Sequence, residues 1–244
     1  MAFSVVIPAR YGANRLPGKP LLDIAGKPML QHAYERARAS DAEAVYIATD
    51  DERIKQVAED FGATVLMTSA EHRSGTDRIQ EVATALQMPE EQVVVNVQAD
   101  EPLLPAQVIN QVATNLLEHP EVGIATLCET ITSQEEIEDP NAVKVVMDSS
   151  GLALYFSRST IPHQASASAK NCFRHVGIYA YRVAILNQFI HWPASELEIS
   201  EKLEQLRALY NGVRIHVAVS SAKIPAGIDT ERDLEAVRAF MATR

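Results

Sequence analysis

Short runs of β-branched residues alternate with longer, helically periodic segments through the first half of the chain, which restricts the fold to an α/β architecture: a mostly parallel central sheet with helices on both faces. Residues 4–7, 45–48, 64–67 and 93–97 read as strands. Between them, 28–40, 51–61 and 76–86 read as helices; in the first, Met29, Leu30, Ala33 and Ala37 recur at helical spacing behind Pro28. Gly62 stands where a helix-closing glycine belongs. The run from Val93 to Val97 is the most continuous apolar stretch, so it is expected at the centre of the sheet, buried on both faces.

The second half reads as a helix over 105–117, a strand over 123–129, and a hairpin of 143–147 with 152–156 across Asp148-Ser149-Ser150-Gly151. A strand over 176–181, a helix over 195–209, a strand over 214–219 and a closing helix over 231–241 complete the series. The segment 163–171 is small and polar, has little to bury, and is expected to be a mobile loop. With no internal repeat and no clear linker, residues 1–244 are expected to form a single domain.

Composition narrows the function. A hydrophobic content of 47% and a charged content of 22% suit a globular protein. The net charge of -10 argues against non-specific binding to nucleic acid or an anionic membrane, so an anionic small substrate would need locally concentrated Arg and Lys. Cys128 and Cys172 lie far apart with no CxxC spacing, as reduced structural thiols do. The first residues lack a signal-peptide pattern and no stretch approaches the roughly 18 apolar residues of a membrane span, so a cytoplasmic location is expected.

Five segments could carry chemistry. Pro8 to Pro20 is a cationic, glycine-containing loop directly after the first strand, with Arg10, Arg15 and Lys19 as its cations. Ligands of open α/β sheets bind at the carboxyl ends of strands, and Gly12 and Gly18 would let the backbone approach a phosphate; a solvated surface loop with incidental charges fits the spacing equally well. It is not a Walker A loop, because five residues separate the glycines and Lys19 precedes Pro20. Asp100, in Asn96-Val97-Gln98-Ala99-Asp100-Glu101-Pro102, sits at the sheet's ligand edge, where magnesium usually takes one or two protein carboxylates. Asp229 and Thr230 precede the last helix and read first as its N-cap. Ser74 and Gly75, within Glu71 to Arg78, suit either a base edge or an N-cap. His175, among strand residues, reads first as structural.

Together these segments resemble the CMP-Kdo synthetases, the 3-deoxy-manno-octulosonate cytidylyltransferases, in the same order and over nearly the whole chain. The resemblance rests on Pro8-Ala9-Arg10 with Arg15 to Leu21, on His72 with Ser74-Gly75-Thr76, and on Asn96 to Pro102. Pro140 to Lys144, Ala153 to Arg158, Arg174-His175 with Gly177-Ile178-Tyr179, Leu203 to Arg207 and Ile228-Asp229-Thr230 extend it.

The resemblance implies a homodimer that transfers CMP from CTP to the anomeric hydroxyl of an acidic eight-carbon sugar and releases pyrophosphate, activating the sugar for lipopolysaccharide synthesis. It implies a nucleotide-binding part over about 1–120, a sugar-binding and dimerisation part over about 121–225, and a closing helix over 230–241. Ala9, Arg10, Arg15 and Lys19 fall on the phosphate loop, and Ser74, Gly75 and Arg78 on the cytosine side. Asp100 and Asp229 become ligands of Mg2+, which reverses the N-cap reading of Asp229. Gln98, Arg158, His175, Tyr179, Glu204 and Gln205 match sugar-binding positions.

The sugar half departs from the family pattern. The segment between Pro162 and Arg174 is short and nearly uncharged, Ser195 to Glu201 replaces the usual Ser-Pro-Leu-Glu sequence, and Ala99 replaces a usual Gly. These changes point to a sugar altered at its tail, with 8-amino-3,8-dideoxy-manno-octulosonate the best candidate and Ser200 a possible acceptor for its amine. A CMP-sialate synthetase shares the phosphate loop but not the sugar-side matches from Arg158 to Gln205, and a non-catalytic CTP-binding module would not need all of these positions.

Overall fold

A computed structural model describes residues 2–12, 16–163 and 172–242. The first half runs β1 (Phe3–Ala9), the small pair β2 (Asp23–Ile24) and β3 (Lys27–Pro28), α1 (Met29–Arg38), β4 (Ala44–Thr49), α2 (Glu52–Asp60), β5 (Thr64–Met67), α3 (Gly75–Ala85), β6 (Val93–Asn96) and α4 (Ala106–Glu118). The second half continues with β7 (Ile124–Thr130), α5 (Gln134–Glu138), β8 (Lys144–Met147), β9 (Ala153–Ser157), β10 (Phe173–Arg182), α6 (Val183–Phe189), α7 (Glu196–Glu201), α8 (Gln205–Tyr210), β11 (Ile215–Val219) and α9 (Glu231–Ala242).

Among the described residues the main sheet has nine strands, with the order β11-β7-β10-β6-β1-β4-β5 along its principal path, β8 attached to β10 and β9 to β8. β6, β1, β4 and β5 are parallel neighbours, and β11 is parallel to β7. β10 runs antiparallel to both β6 and β7, so along that path it alone opposes the rest among the described residues. Strand periodicity sorts the core: Phe3, Val5, Ile7, Val93 and Val95 pack with residues of α1, α2 and α4 on one face. Val6 and Val94, pointing the other way, pack with Ile79, Val82, Leu186 and Leu206 on the opposite face. All four residues of β6 are buried, as expected of the most continuous apolar run.

The expected elements appear with small shifts at their ends, and the hairpin turns where Asp148 Oδ1 accepts from the N–H groups of Ser150 and Leu152. Gly62 closes α2 with a left-handed φ of 85°, and Ala63 donates back to the carbonyl of Ala58. The helix expected over 195–209 is two helices, α7 and α8, because the chain breaks at Lys202, which is left-handed at φ 54°. No glycine or proline marks that break, so periodicity ran straight across it. Two short helices, α5 and α6, were not expected at all. The loop expected over 163–171 lies outside the described residues apart from His163.

Candidate active site

Behind β1 the chain turns through a 3-10 turn at Lys19–Leu21, and Gly18 sets its direction. Gly18 has φ 67°, its N–H donates to the Tyr11 carbonyl at 3.0 Å, and a Cβ there would lie 3.1 Å from the Tyr11 ring. Gly12 meets no such constraint, since a Cβ on it would have open space around it. The Arg53 guanidinium covers the Tyr11 ring at 3.4 Å from the centroid, pinning the loop to the start of α2. The turn brings Lys19 Nζ to 2.5 Å from Asp100 Oδ2 at the end of β6 and to 3.2 Å from Asp229 Oδ1.

Asp229 reaches this point through an extended strap before α9. Ile228 donates its backbone N–H to the Asp100 carbonyl at 2.9 Å, and Ile224 donates to Glu129 Oε1 at 2.9 Å. The cap of α9 belongs to Thr230, whose hydroxyl accepts from the Asp233 N–H at 3.3 Å while Asp233 Oδ2 accepts from the Thr230 N–H at 2.8 Å. The Asp229 carboxylate thus faces Lys19 instead of serving as the cap.

Lys19, Asp100 and Asp229 share a cavity of about 450 Å³ with Ala9, Arg10 and Gln98, and its far wall is the turn Arg73-Ser74-Gly75 with Arg78. That size suits a small-molecule ligand. Arg10, Lys19, Arg73 and Arg78 in its lining, with the opening of α3, suit an anionic ligand. Within the wall, Ser74 caps α3 by accepting from the Asp77 N–H at 3.2 Å. The Arg78 guanidinium donates to Asp50 at 3.1 Å and to the Thr68 hydroxyl, so it braces β4 and β5 against α3. Burial and the Asp100 charge push Glu101 up to about 7. Beside Asp100, therefore, stands a carboxyl that is partly neutral at physiological pH.

Of the sugar-side candidates, Gln98 lines this cavity itself, whereas Tyr179, Glu204 and Gln205 line a second one. Tyr179 pairs with Asn96 across β10 and β6, and with Glu204 and Gln205 it lines a smaller cavity of about 30 Å³, room for roughly one water. Gln205 Nε2 is buried there without a partner. Glu204, raised by burial and lowered by hydrogen bonds from Thr76 and Ser74, accepts from the Thr76 hydroxyl. His175 lies 5.3 Å from the Tyr179 ring and against Phe156, and burial pushes it down to about 3. Thr126 gives its one hydroxyl hydrogen to the Ile178 carbonyl at 2.7 Å, so His175 Nε2 donates to that oxygen at 3.0 Å.

Arg158 lines neither cavity; it donates to the carbonyls of Glu201 at 2.8 Å and Pro140 at 3.0 Å, and its backbone N–H to Glu201 Oε2 at 2.9 Å. Arg15 lies outside the described residues. Sequence reasoning missed His72 and Arg73 as cavity residues, although both lie in the segment that holds Ser74 and Gly75. It also missed Thr76, whose contact with Glu204 has no local sequence signal.

A cytidylyltransferase family model matches residues 4–215. The chain is 56% identical to the 3-deoxy-manno-octulosonate cytidylyltransferase of Hahella chejuensis, over 99% of this chain and 98% of the relative. The chain belongs to the 3-deoxy-manno-octulosonate cytidylyltransferase family. The corresponding protein of Cellvibrio japonicus is 55% identical over 99% of this chain and 98% of its own length. A solved structure of a CMP:2-keto-3-deoxy-manno-octonic acid synthetase complexed with CTP superposes with a TM-score of 0.94 at 43% identity, covering 100% of this chain and 99% of that one. This cytidylyltransferase therefore matches these relatives over nearly its whole length. No helix among its described residues is long and apolar enough to cross a membrane.

Proposed function

We propose that this cytidylyltransferase transfers CMP from CTP to the anomeric hydroxyl of a 3-deoxy-octulosonate in the cytoplasm, releasing pyrophosphate, with magnesium held by Asp100 and Asp229. The observation that carries the reading is the convergence of these two carboxylates on one cationic point, the Lys19 ammonium, inside the 450 Å³ cavity. A cation already favoured there by two carboxylates marks where a divalent ion fits. Among the described residues no group of three or more His, Cys, Asp or Glu gathers to hold a metal. Two carboxylates suffice for magnesium, which keeps waters and substrate phosphates in its shell. When bound, the ion would neutralise phosphate charge and lower the pKa of the attacking hydroxyl.

The chain's own residues do the rest. Arg10 and Lys19 line the end of the cavity that would receive the β- and γ-phosphates, and they stabilise the charge passing to pyrophosphate as the α-phosphorus bond to it breaks. The Ser74-Gly75 turn offers the base its backbone groups, because the Ser74 hydroxyl already caps α3. Tyr179, Glu204 and Gln205 orient the sugar beside the cavity, and His175, neutral, supports the Tyr179 ring. Holding both reactants in line removes the entropic part of the barrier, so no covalent enzyme intermediate is required.

For an 8-amino sugar, Ser200 on α7 is exposed, whereas Glu198 is paired with Arg207 and Glu201 with Ser157. Pyrophosphate release from CTP, magnesium and either 3-deoxy-manno-octulosonate or its 8-amino analogue tests the reading. Turnover of at least one of them is expected, and the larger kcat/KM identifies the substrate; turnover of neither, with a sialic acid accepted instead, overturns it.

A further inference from the structure

The nucleotide cavity and the small sugar-side cavity meet at one contact. Ser74 and Gly75 line the first, while Glu204 lines the second. Thr76, the next residue along α3, is 3% exposed and donates its hydroxyl to Glu204 Oε1. Glu204 itself sits just after the left-handed break at Lys202, where the chain turns from α7 into α8.

From this geometry we infer that Thr76 is a positioning residue that couples sugar binding to nucleotide binding through Glu204. The inference rests on the assignment of the two cavities to CTP and the sugar. A nucleotide against the Ser74-Gly75 turn immobilises the start of α3, and with it the Thr76 hydroxyl. Glu204 is then held in one rotamer with its second oxygen left for a sugar hydroxyl, so the sugar pays less ordering entropy when it arrives second. Linkage makes the effect reciprocal: the sugar tightens nucleotide binding by the same factor. Removing the Thr76 hydroxyl leaves each cavity its own lining and loses the coupling.

Calorimetric titration of 3-deoxy-manno-octulosonate into the full chain, alone and saturated with the α,β-methylene analogue of CTP, measures the coupling. The wild type is expected to bind the sugar about 5-fold or more tightly with the nucleotide present. In Thr76→Val that ratio falls close to one, while the Kd of each ligand alone changes little; in Thr76→Ser, which keeps the hydroxyl, the ratio returns. Damage that is merely structural would weaken both single-ligand affinities and leave the ratio. Thr76→Ala replaces the valine variant if that chain does not fold. A wild-type ratio of one, or an unchanged ratio in the hydroxyl-free variant, overturns the coupling. Failure of the wild type to bind either ligand overturns the assignment of the cavities instead, and the coupling with it.

Discussion

Ile228 donates its backbone N–H to the carbonyl of Asp100 at 2.9 Å, so the strap before α9 is stitched to one candidate metal ligand at the residue next to the other, Asp229. The two carboxylates are held together by backbone, not by chance rotamers. Replacing either Asp100 or Asp229 with Asn removes one charge and leaves that stitch in place. Each variant is expected to keep its thermal midpoint and to lose roughly 10²-fold or more in kcat, the several kcal/mol a metal ligand contributes to phosphoryl transfer. Pyrophosphate release over a magnesium titration checks this, and activity fully restored at saturating magnesium would remove the residue from the metal site.

Lys19 plays two parts in this arrangement. Its ammonium lies 2.5 Å from Asp100 Oδ2 and 3.2 Å from Asp229 Oδ1, at the point where a divalent cation would bind. With CTP present it is expected to turn to the phosphates. Lys19→Met should therefore raise the affinity of the free protein for divalent metal, measured as Mn2+ binding by electron paramagnetic resonance. The same change should lower kcat/KM for CTP. Weaker metal binding in the variant would show that Lys19 does not compete for the carboxylates.

Much of this was legible in the sequence where local chemistry decides the outcome. β6 is a run of valines at the sheet's centre, and the loop from Pro8 to Pro20 concentrates cations after β1. The role of Asp229 was not legible locally, because Asp and Thr before a helix are equally good caps; only the fold shows that Thr230 takes the cap with Asp233. The break at Lys202 was hidden for a related reason. A residue with a Cβ adopts the left-handed conformation there without any glycine to announce it, and that conformation delivers Glu204 to Thr76. Contacts made across the sheet from distant parts of the chain leave no periodic trace.

Among the described residues, the second half also leaves one edge of β9 unpaired and several apolar side chains exposed. β9 pairs with β8 on one side, and Leu154 on it is 62% exposed; Ile199 and Tyr210, on α7 and α8, are 65% and 64% exposed. Open strands with exposed apolar residues are normally covered, and a second copy of this chain is the proposed cover. Leu154→Glu is expected to convert a dimer into a monomer in light scattering coupled to gel filtration, with the secondary structure intact. A wild type that runs as a monomer would dismiss this surface as the dimer face.

Burial at His175 has a consequence for pH. Its pKa falls to about 3 in the folded chain against a usual value near 6.5, so between these limits the unfolded chain binds the extra proton. Stability from this group is complete above pH 6.5 and is lost as the pH falls toward 3. Integrated to pH 5.5, the loss is on the order of 1 kcal/mol. Glu204 acts with the opposite sign, since its raised pKa makes stability decline as pH rises, and His216, also lowered by burial, acts in the same sense as His175. The contribution of His175 must therefore be isolated by difference. Urea unfolding of the wild type and of His175→Asn at pH 8 and pH 5.5 does so. The wild type is expected to lose on the order of 1 kcal/mol more than the variant between those pH values, and equal losses would show that His175 is protonated as readily in the folded chain as in the unfolded one.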